Sequence, residues 1–197
     1  MFPARLALAT KNPGKVGEIL AICAGWPVEW VTSRQASWPD IAETGESYLE
    51  NARLKARAVA GTIGLPALAE DSGIEVVALG GGPGVRSARF AGAGATDRQN
   101  LELLIERIRT VPSEGRTARY RCVAVCVWPE GEERSAEGTC EGRLILEPRG
   151  AGGFGYDPIF VPEGDDLTMA ELPPEAKNAI SHRGRALRAL GTVLERA

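Results

Sequence analysis

The 197-residue sequence lacks the features that identify several common classes of protein. Its apolar runs are all shorter than the ~20 residues that cross a bilayer, so we expect no membrane-spanning helix and no membrane partner. No run of lysine and arginine exceeds two residues, and 26 acidic residues outnumber 23 basic ones, giving a net charge of −3. Because a protein that coats nucleic acid needs a basic face, this composition argues against nucleic acid as a partner. The N-terminus has no secretory pattern, and we expect a cytoplasmic protein.

The cysteines do not form a metal-binding or redox motif. No two of them are separated by two residues, and the single histidine is not at ligand spacing from any of them. Free cysteine behaves as a small hydrophobic side chain. We therefore expect core positions for Cys23, Cys122, Cys126 and Cys140.

Lysine and the side-chain amides are rare, with 4 Lys against 19 Arg, and only 4 Asn and 2 Gln. Arginine supplies most of the positive charge in this chain, so a position that keeps lysine is a candidate for a specific role. Lysine is a compact point charge and arginine a planar fork, so the two are not interchangeable at a phosphate site. The lysines and the asparagines near them are Lys11, Asn12, Lys15, Asn51, Lys55, Lys177 and Asn178.

Alternating apolar periodicities predict an α/β fold. The predicted strands are 4–9, 28–31, 74–79, 118–128, 134–145 and 156–161, and the predicted helices are 14–24, 47–63, 96–109, 174–180 and 184–195. Ser47 and Glu50 fit a capping box at the start of the second helix. Helices alternating with strands, plus a central hairpin, indicate a mixed central β-sheet flanked by helices. Because no linker or internal repeat divides the chain, we expect a single domain over residues 1–197.

The first candidate site is the turn Thr10-Lys11-Asn12-Pro13-Gly14-Lys15, where a predicted strand leads into a predicted helix. Backbone N–H groups at a helix N-terminus and a nearby lysine form an anion site, and small residues let phosphate oxygens approach. The spacing differs from that of a P-loop, because Lys15 is followed by Val16. The alternative is an Asn-Pro-Gly turn with a solvated lysine.

Two acidic residues form the second candidate site: Glu43, in a polar loop, and Asp71, in a segment that we expect at a strand end. Successive strand residues point to opposite faces, so Glu70 and Asp71 are not expected to share a site, and one of them needs a carboxylate from elsewhere. Mg²⁺ takes few carboxylates, keeps several waters and bridges phosphates, which suits two acids. The alternatives are a solvated loop acid at Glu43 and an Asp-Ser-Gly turn at Asp71.

Three further segments carry groups of the kinds that bind nucleotides. Asn51 and Lys55 are four residues apart and lie on one side of the second helix. The segment 154–157 places an aromatic ring, which can stack on a base, next to a carboxylate. The segment 177–184 contains the only histidine, His182. Taken singly, each segment is more typical of surface, turn or core residues than of a binding site.

Together the five segments resemble the inosine triphosphate pyrophosphatase family, whose members hydrolyse non-canonical purine nucleoside triphosphates. The resemblance runs from Leu8 to Leu187. Its most specific pieces are Glu70-Asp71-Ser72-Gly73 with Gly84-Val85-Arg86-Ser87-Ala88-Arg89-Phe90, Phe154-Gly155-Tyr156-Asp157-Pro158-Ile159-Phe160, and Lys177-Asn178-Ala179-Ile180-Ser181-His182-Arg183-Gly184. It implies an elongated two-lobed α/β fold with the active-site cleft between the lobes, a homodimer and a requirement for Mg²⁺.

The resemblance also implies roles for individual residues. Glu43 and Asp71 match the family's metal-binding acids, and Asp71 also matches its proton acceptor. The residues implied to bind substrate are Thr10, Lys11, Asn12, Pro13, Gly14, Lys15, Lys55, Ser72, Phe154, Gly155, Tyr156, Asp157, Lys177, His182 and Arg183. Glu70 stands where many relatives have aspartate, which leaves open whether it also holds metal.

These expectations lead to a hypothesis of pyrophosphate release from ITP, dITP and XTP, which would cleanse the nucleotide pool. Mg²⁺ would bridge Glu43 and Asp71 to the triphosphate, Lys15 and Lys55 would neutralise it, and Asp71 would orient the attacking water. The backbone, Lys177 or Arg183 would donate a hydrogen bond to the 6-keto oxygen of the base. Adenine would leave such a donor unpaired, at a cost of about 1 to 3 kcal/mol.

Two alternatives remain open at this point. One is a pyrophosphatase that acts on pyrimidine or other modified nucleotides. The other is a non-catalytic nucleotide sensor, which would not need the paired acids Glu43 and Asp71.

Overall fold

The computed structural model describes residues 1–196 and has a six-stranded mixed β-sheet with flanking helices. The strand order is β2-β1-β3-β4-β5-β6, with β1 at Arg5–Leu8, β2 at Glu29–Val31, β3 at Ala67–Val76, β4 at Thr117–Val127, β5 at Glu133–Leu144 and β6 at Phe160–Pro162. β1 pairs in parallel with β2 and β3, and β5 pairs antiparallel with β6. The predicted mixed α/β class is thus confirmed. Ala197, the last residue of the predicted single domain, lies outside the described residues.

The five α-helices of the described chain flank this sheet. They are α1 at Pro13–Ile22, α2 at Tyr48–Ile63, α3 at Asp97–Ile108, α4 at Pro174–Ile180 and α5 at His182–Arg196. Ser47 forms the predicted capping box with Glu50 at the start of α2, and Thr96 forms a second one with Gln99 at the start of α3. Each box satisfies backbone N–H groups that have no partner inside the helix. No helix in residues 1–196 is long and apolar enough to span a membrane.

The first of two compact units comprises Met1–Asp71, Cys122–Gly138 and the segment from Arg183 onward. Its core packs β1 and the central strands against α1 and α5. The fully or nearly fully buried side chains at its centre are Leu6, Leu8, Ile19, Cys23, Leu68, Cys122, Ala124, Cys126, Leu187, Leu190 and Leu194. Three of the four cysteines lie in this core, as the sequence predicts.

The second unit comprises Ser72–Arg121 and Thr139–His182. Its core packs α3 against the remaining strand segments, and its central side chains are Ile74, Val76, Leu104, Ile108, Ala118, Tyr120, Cys140, Leu144, Tyr156, Ile159, Phe160 and Met169. The fourth cysteine, Cys140, is buried here, so the prediction of core cysteines is confirmed.

Three local predictions are wrong, and the first is the end of the predicted strand 74–79, because Val77–Leu79 form a 3₁₀ turn. Glu70 and Asp71 were expected at a strand end, but they lie in the middle of β3, which runs without a break to Val76. Burial on both sides of the strand stabilises this extended segment more than the turn preference of Asp-Ser-Gly favours a bend. The predicted strand 156–161 is partly a 3₁₀ turn at Asp157–Ile159, and only Phe160–Pro162 is extended.

Candidate active site

The predicted phosphate loop forms the N-terminus of α1. Asn12 is the N-cap residue, and its Oδ1 accepts hydrogen bonds from the backbone N–H groups of Gly14 at 2.9 Å and Lys15 at 3.3 Å. The Asn12 N–H donates to Thr10 Oγ1 at 3.2 Å, and Pro13 lies at the start of the helix. Apart from Thr10 and Lys15, the loop is exposed. An exposed run of small residues therefore lies at the positive end of a helix, which suits a phosphate group.

A buried chain of ion pairs begins at Lys15. Its Nζ lies 2.7 Å from Oε1 of Glu70, whose side chain has no exposed surface. Arg183 Nη2 lies 3.4 Å from the same oxygen, and Arg183 Nη1 lies 2.5 Å from Glu18 Oε2. The Cys122 thiol donates to Glu70 Oε2 at 3.3 Å. Two cations and a thiol thus surround one carboxylate inside the first unit.

A second charged cluster in the first unit surrounds Asp71. Lys55, on α2, places its Nζ 2.6 Å from Glu43 Oε1 and 3.4 Å from Asp71 Oδ1. Asn51, one turn earlier on α2, donates from Nδ2 to Asp71 Oδ2 at 3.1 Å. The spacing of four residues puts Asn51 and Lys55 on one side of the helix. One ammonium group therefore contacts both of the acids that the sequence analysis pairs.

The two neighbouring acids of β3 have pKa values shifted in opposite directions. Burial alone would raise the pKa of Glu70, but Arg183 and Lys15 outweigh it and hold the pKa well below the ordinary glutamate value. At Asp71 burial dominates and raises the pKa, although Lys55 and Lys15 oppose the shift. Glu70 is therefore a fixed anion, whereas Asp71 is a carboxylate with a stronger tendency to hold a proton.

Lys55 remains charged despite its burial. Burial favours the neutral amine, but the carboxylates of Asp71 and Glu43 outweigh it and raise the pKa of Lys55. The Lys55 ammonium is therefore the positive charge that Glu43 and Asp71 share.

Gly45 connects the Glu43 loop to α2. Its N–H donates to Asn51 Oδ1 at 2.8 Å, so Asn51 joins this loop to Asp71 through its two amide ends. A Cβ at position 45 would lie 2.6 Å from the Glu50 Cβ and 2.8 Å from Asn51 Oδ1. Only glycine allows the loop to approach the helix this closely.

A cluster in the second unit is arranged around Asp157. Its Oδ2 accepts from Lys177 Nζ at 2.5 Å and from the Phe154 backbone N–H at 2.9 Å, and both Asp157 and Lys177 are buried. The Lys177 ammonium lies 5.2 Å from the centre of the Phe154 ring, within the range of a cation–π contact. Gly153 has a φ of +69°, and a Cβ there would lie 2.9 Å from Lys177 Nζ. An ammonium donor and an aromatic ring are thus held side by side.

Tyr120, which no sequence motif singles out, contacts two members of this second-unit cluster. Its Oη donates to Asp157 Oδ1 at 3.2 Å. Its ring stacks on the imidazole of His182 with centres 4.5 Å apart and planes 9° apart. Tyr120 lies on β4 in a buried position, where an aromatic side chain is indistinguishable by sequence from an ordinary core residue.

The predicted site residues fall into two groups. The first unit contains Thr10, Lys11, Asn12, Pro13, Gly14, Lys15, Glu43, Lys55, Asp71 and Arg183, and the second contains Ser72, Phe154, Gly155, Tyr156, Asp157, Lys177 and His182. Lys11 forms an exposed ion pair with Asp40 at 2.7 Å. Tyr156 is buried and donates to the Ser87 carbonyl at 2.7 Å, and the Gly155 N–H donates to Asp97 at 3.0 Å. Asn51 was singled out with Lys55 from the sequence but given no specific role, and Tyr120 was not singled out.

The fold and these clusters define a class of protein: an α/β protein in which lysines and paired acids are arranged for an anionic ligand. The model of the Ham1 family matches residues 6–193. The chain is 50% identical over 193 residues to a dITP/XTP pyrophosphatase of Streptomyces coelicolor, covering 96% of both chains. It is 52% identical over 187 residues to a dITP/XTP pyrophosphatase of Symbiobacterium thermophilum, covering 95% of this chain and 93% of the other.

Solved structures agree with the sequence comparisons. A HAM1 protein from Coxiella burnetii superposes with a TM-score of 0.89 at 41% identity, over 99% of this chain and 100% of that chain. A nucleoside-triphosphatase / dITP/XTP pyrophosphatase from Mycobacterium abscessus superposes with a TM-score of 0.76 at 43% identity, over 94% and 98%. The chain belongs to the Ham1 family, which confirms the resemblance seen in its motifs.

Proposed function

We propose that the protein hydrolyses non-canonical purine nucleoside triphosphates, namely ITP, dITP and XTP, to the nucleoside monophosphate and pyrophosphate. The observation that carries the proposal is the pair of acids, Glu43 and Asp71, which lie against one ammonium, with the charge of Lys15 from the phosphate loop also acting on Asp71. Relatives of about half-identical sequence that are named dITP/XTP pyrophosphatases support the substrate class.

The residues around Lys55 fit a magnesium ion. Glu43 and Asp71 supply hard carboxylate oxygens, and the single positive charge of Lys55 balances only one of these two acids, which supports a second cation beside them. Mg²⁺ binds through one or two carboxylates, waters and substrate phosphates rather than in a closed protein cage. When bound, Mg²⁺ would supply charge neutralisation for the triphosphate. Glu70 is excluded from our proposed ligand set, because Lys15, Arg183 and Cys122 already surround its oxygens.

Lys15 and Lys55 are the proposed counter-charges for the triphosphate. Phosphoryl chemistry depends mainly on positioning and charge stabilisation, so lysines already fixed by carboxylates are well suited to it. Lys15 is held by Glu70, and Lys55 by Glu43 and Asp71. These contacts reduce the conformational freedom that each lysine loses when it binds a phosphate.

Asp71 is the proposed proton acceptor for the attacking water. Burial raises its pKa, which makes it a stronger base than an exposed aspartate, and Asn51 fixes the orientation of its carboxylate. Attack at the α-phosphate would release pyrophosphate.

The proposed base-binding residues are in the second unit. Lys177 offers an ammonium donor suited to the 6-keto group of hypoxanthine or xanthine, and the Phe154 ring beside it offers a stacking surface. Adenine presents an amine where these bases present a keto oxygen, so a buried donor would be left unpaired. Selection against adenine would follow from that cost.

The decisive experiment measures hydrolysis of inosine, xanthosine, guanosine and adenosine triphosphates, with and without Mg²⁺, and separates pyrophosphate from orthophosphate. We expect pyrophosphate from the inosine and xanthosine substrates only, and a loss of turnover when EDTA removes the metal. Orthophosphate release would reject attack at the α-phosphate. Tight nucleotide binding without turnover would favour the sensor alternative. The same assay with cytidine and uridine triphosphates tests the pyrimidine pyrophosphatase alternative, which hydrolysis of either would favour.

A further inference from the structure

Tyr120, in the second unit, contacts both the Asp157 carboxylate and the His182 ring. The hydroxyl reaches Asp157 Oδ1 at 3.2 Å, and the ring lies almost parallel to the imidazole of His182. Its ring also packs at a tilt against Phe160, with centres 4.7 Å apart. Packing against Phe160 is sufficient for a core residue, so the hydrogen bond to Asp157 and the stacking on His182 call for a separate explanation.

Asp157 connects Tyr120 to the proposed base-binding groups. Its Oδ1 accepts from the Tyr120 hydroxyl, and its Oδ2 accepts from the Lys177 ammonium and the Phe154 N–H. A carboxylate rotates easily about its last torsion, which is broad and roughly two-fold. A donor on Oδ1 restricts that rotation and keeps Oδ2 directed toward Lys177.

We propose that Tyr120 is a positioning residue that determines purine specificity: its hydroxyl orients Asp157, and thereby Lys177, while its ring sets the plane of His182. This inference rests on the proposed function, since it concerns how the base is selected. Tyr120 acts through the other residues and does not itself take part in the reaction.

The physical basis is the dependence of base discrimination on the direction of a hydrogen bond. An ammonium donor discriminates against adenine only if its position is fixed. A mobile ammonium can instead donate to another acceptor or to water, which removes the cost of binding the wrong base. Tyr120 restrains the Asp157 carboxylate and the His182 ring, and because it is neutral it adds no charge that would compete with Lys177 for Asp157. Loss of its hydroxyl would therefore weaken selection more than it weakens the chemical step.

The test is Tyr120→Phe, which keeps the ring and removes only the hydroxyl. We expect KM for ITP to rise about five- to tenfold, kcat to stay within about twofold, and the preference for ITP over ATP to fall by a similar factor. A merely structural role would leave the ITP/ATP ratio unchanged. Unchanged KM and selectivity in a folded Tyr120→Phe protein would overturn the proposal.

The matched control is Tyr48→Phe, which removes the hydroxyl of another buried tyrosine, in the first unit. We expect its KM and its selectivity to equal those of the wild type. A loss of selectivity of the same size in this control would mean that the Tyr120 effect is a general consequence of losing a buried hydroxyl, and would also overturn the proposal.

An NMR measurement tests the ring contact without reference to activity. His182 is the only histidine, so the imidazole signals of isotope-labelled protein need no further assignment. A stacked Tyr120 ring should shift these signals upfield relative to unfolded protein. Tyr120→Phe should retain the shift and Tyr120→Leu should lose it. Signals at their unfolded positions in the wild type would exclude the stack.

The two readouts separate failure of this inference from failure of the proposed function. If the wild-type protein releases no pyrophosphate from ITP, the proposed function fails whatever the NMR spectrum shows. If it does release pyrophosphate and Tyr120→Phe leaves KM and selectivity unchanged, only the role of Tyr120 fails.

Discussion

Glu70 and Asp71 are adjacent in the sequence but have separate partners, because successive residues of a strand face opposite sides. Glu70 contacts Lys15 and Arg183, and Asp71 contacts Asn51 and Lys55. The sequence predicted that the two acids would not share one site; their contacts differ, but the charges of Lys15 and Lys55 act on both of them. The same alternation makes Glu70 a buried counter-ion of Lys15 and Arg183 and leaves Asp71 as the proposed proton acceptor.

Asp71→Asn is expected to lower kcat for ITP by more than tenfold while ITP still binds. Asparagine preserves the shape of the side chain and its contact with Asn51 after reorientation, but it cannot accept a proton. Pyrophosphate release and equilibrium binding of ITP are the measurements. The same exchange at the exposed Asp166 provides a control that should keep full activity. More than a tenth of wild-type turnover in Asp71→Asn would remove Asp71 from the catalytic role.

Glu70→Gln is expected to reduce the free energy of unfolding by about 3 to 5 kcal/mol, since it leaves Lys15 and Arg183 as buried cations without their shared anion. Chemical denaturation with a two-state analysis measures the change. Glu102→Gln, in the exposed ion pair with Arg98, should change stability by less than about 1 kcal/mol. Equal losses in the free energy of unfolding for the two substitutions would show that burial does not make the ion pairs of Glu70 more important for stability than an exposed pair.

At the scale of elements, α2 carries the acid-binding side chains and its N-terminus anchors the loop with Glu43. Ser47 and Glu50 cap the helix, and the Gly45 N–H reaches Asn51 in its first turn. The helix therefore connects local capping, which the sequence predicted, to the pairing of Glu43 and Asp71, which the sequence also predicted but without the shared contact with Lys55.

Gly45→Ala is expected to lower kcat/KM for ITP by at least tenfold, because a Cβ there collides with Glu50 and Asn51 and displaces the Glu43 loop. The midpoint of Mg²⁺ activation should rise as well. Gly61→Ala, on the exposed surface near the end of the same helix, should leave activity unchanged and stabilise the protein by about 0.5 to 1 kcal/mol. Wild-type activity in Gly45→Ala would show that the close approach is not required.

At the scale of the whole molecule, the reactivity of the four buried thiols measures global unfolding. Burial raises the pKa of the Cys23 and Cys126 thiols to about 12, so little thiolate forms in the native state. We expect a thiol reagent at mildly alkaline pH to react with less than one cysteine of the folded protein, and with all four after unfolding in guanidinium chloride. Rapid native-state labelling would contradict the buried positions.

The same thiols predict the direction of stability at high pH. Unfolded cysteines lose their protons near pH 8.5, whereas native Cys23 and Cys126 keep theirs until about pH 12. The native state then binds more protons than the unfolded state, so stability is fully present below about pH 8.5 and falls as the pH rises toward 12. Urea denaturation across this range measures the slope, which should be shallower in a Cys23→Ala/Cys126→Ala variant. A slope unchanged by that substitution would argue against the raised thiol pKa values.

The predicted homodimer stays a prediction of the family resemblance. Light scattering coupled to size-exclusion chromatography should give twice the mass of one chain. A monomer at micromolar concentration would contradict it.

The amino-acid sequence determined the fold class, the helix cap at Ser47, the burial of the cysteines and the family. These follow from periodicity, local hydrogen bonding and motif order, all of which act over short stretches of chain. Only the tertiary structure decided that β3 continues through Asp71, that Glu70 binds a guanidinium 113 residues away and that Tyr120 joins Asp157 to His182. Such pairings depend on which distant side chains are packed together and deprived of water, and burial of that kind leaves no periodic signal in the chain itself.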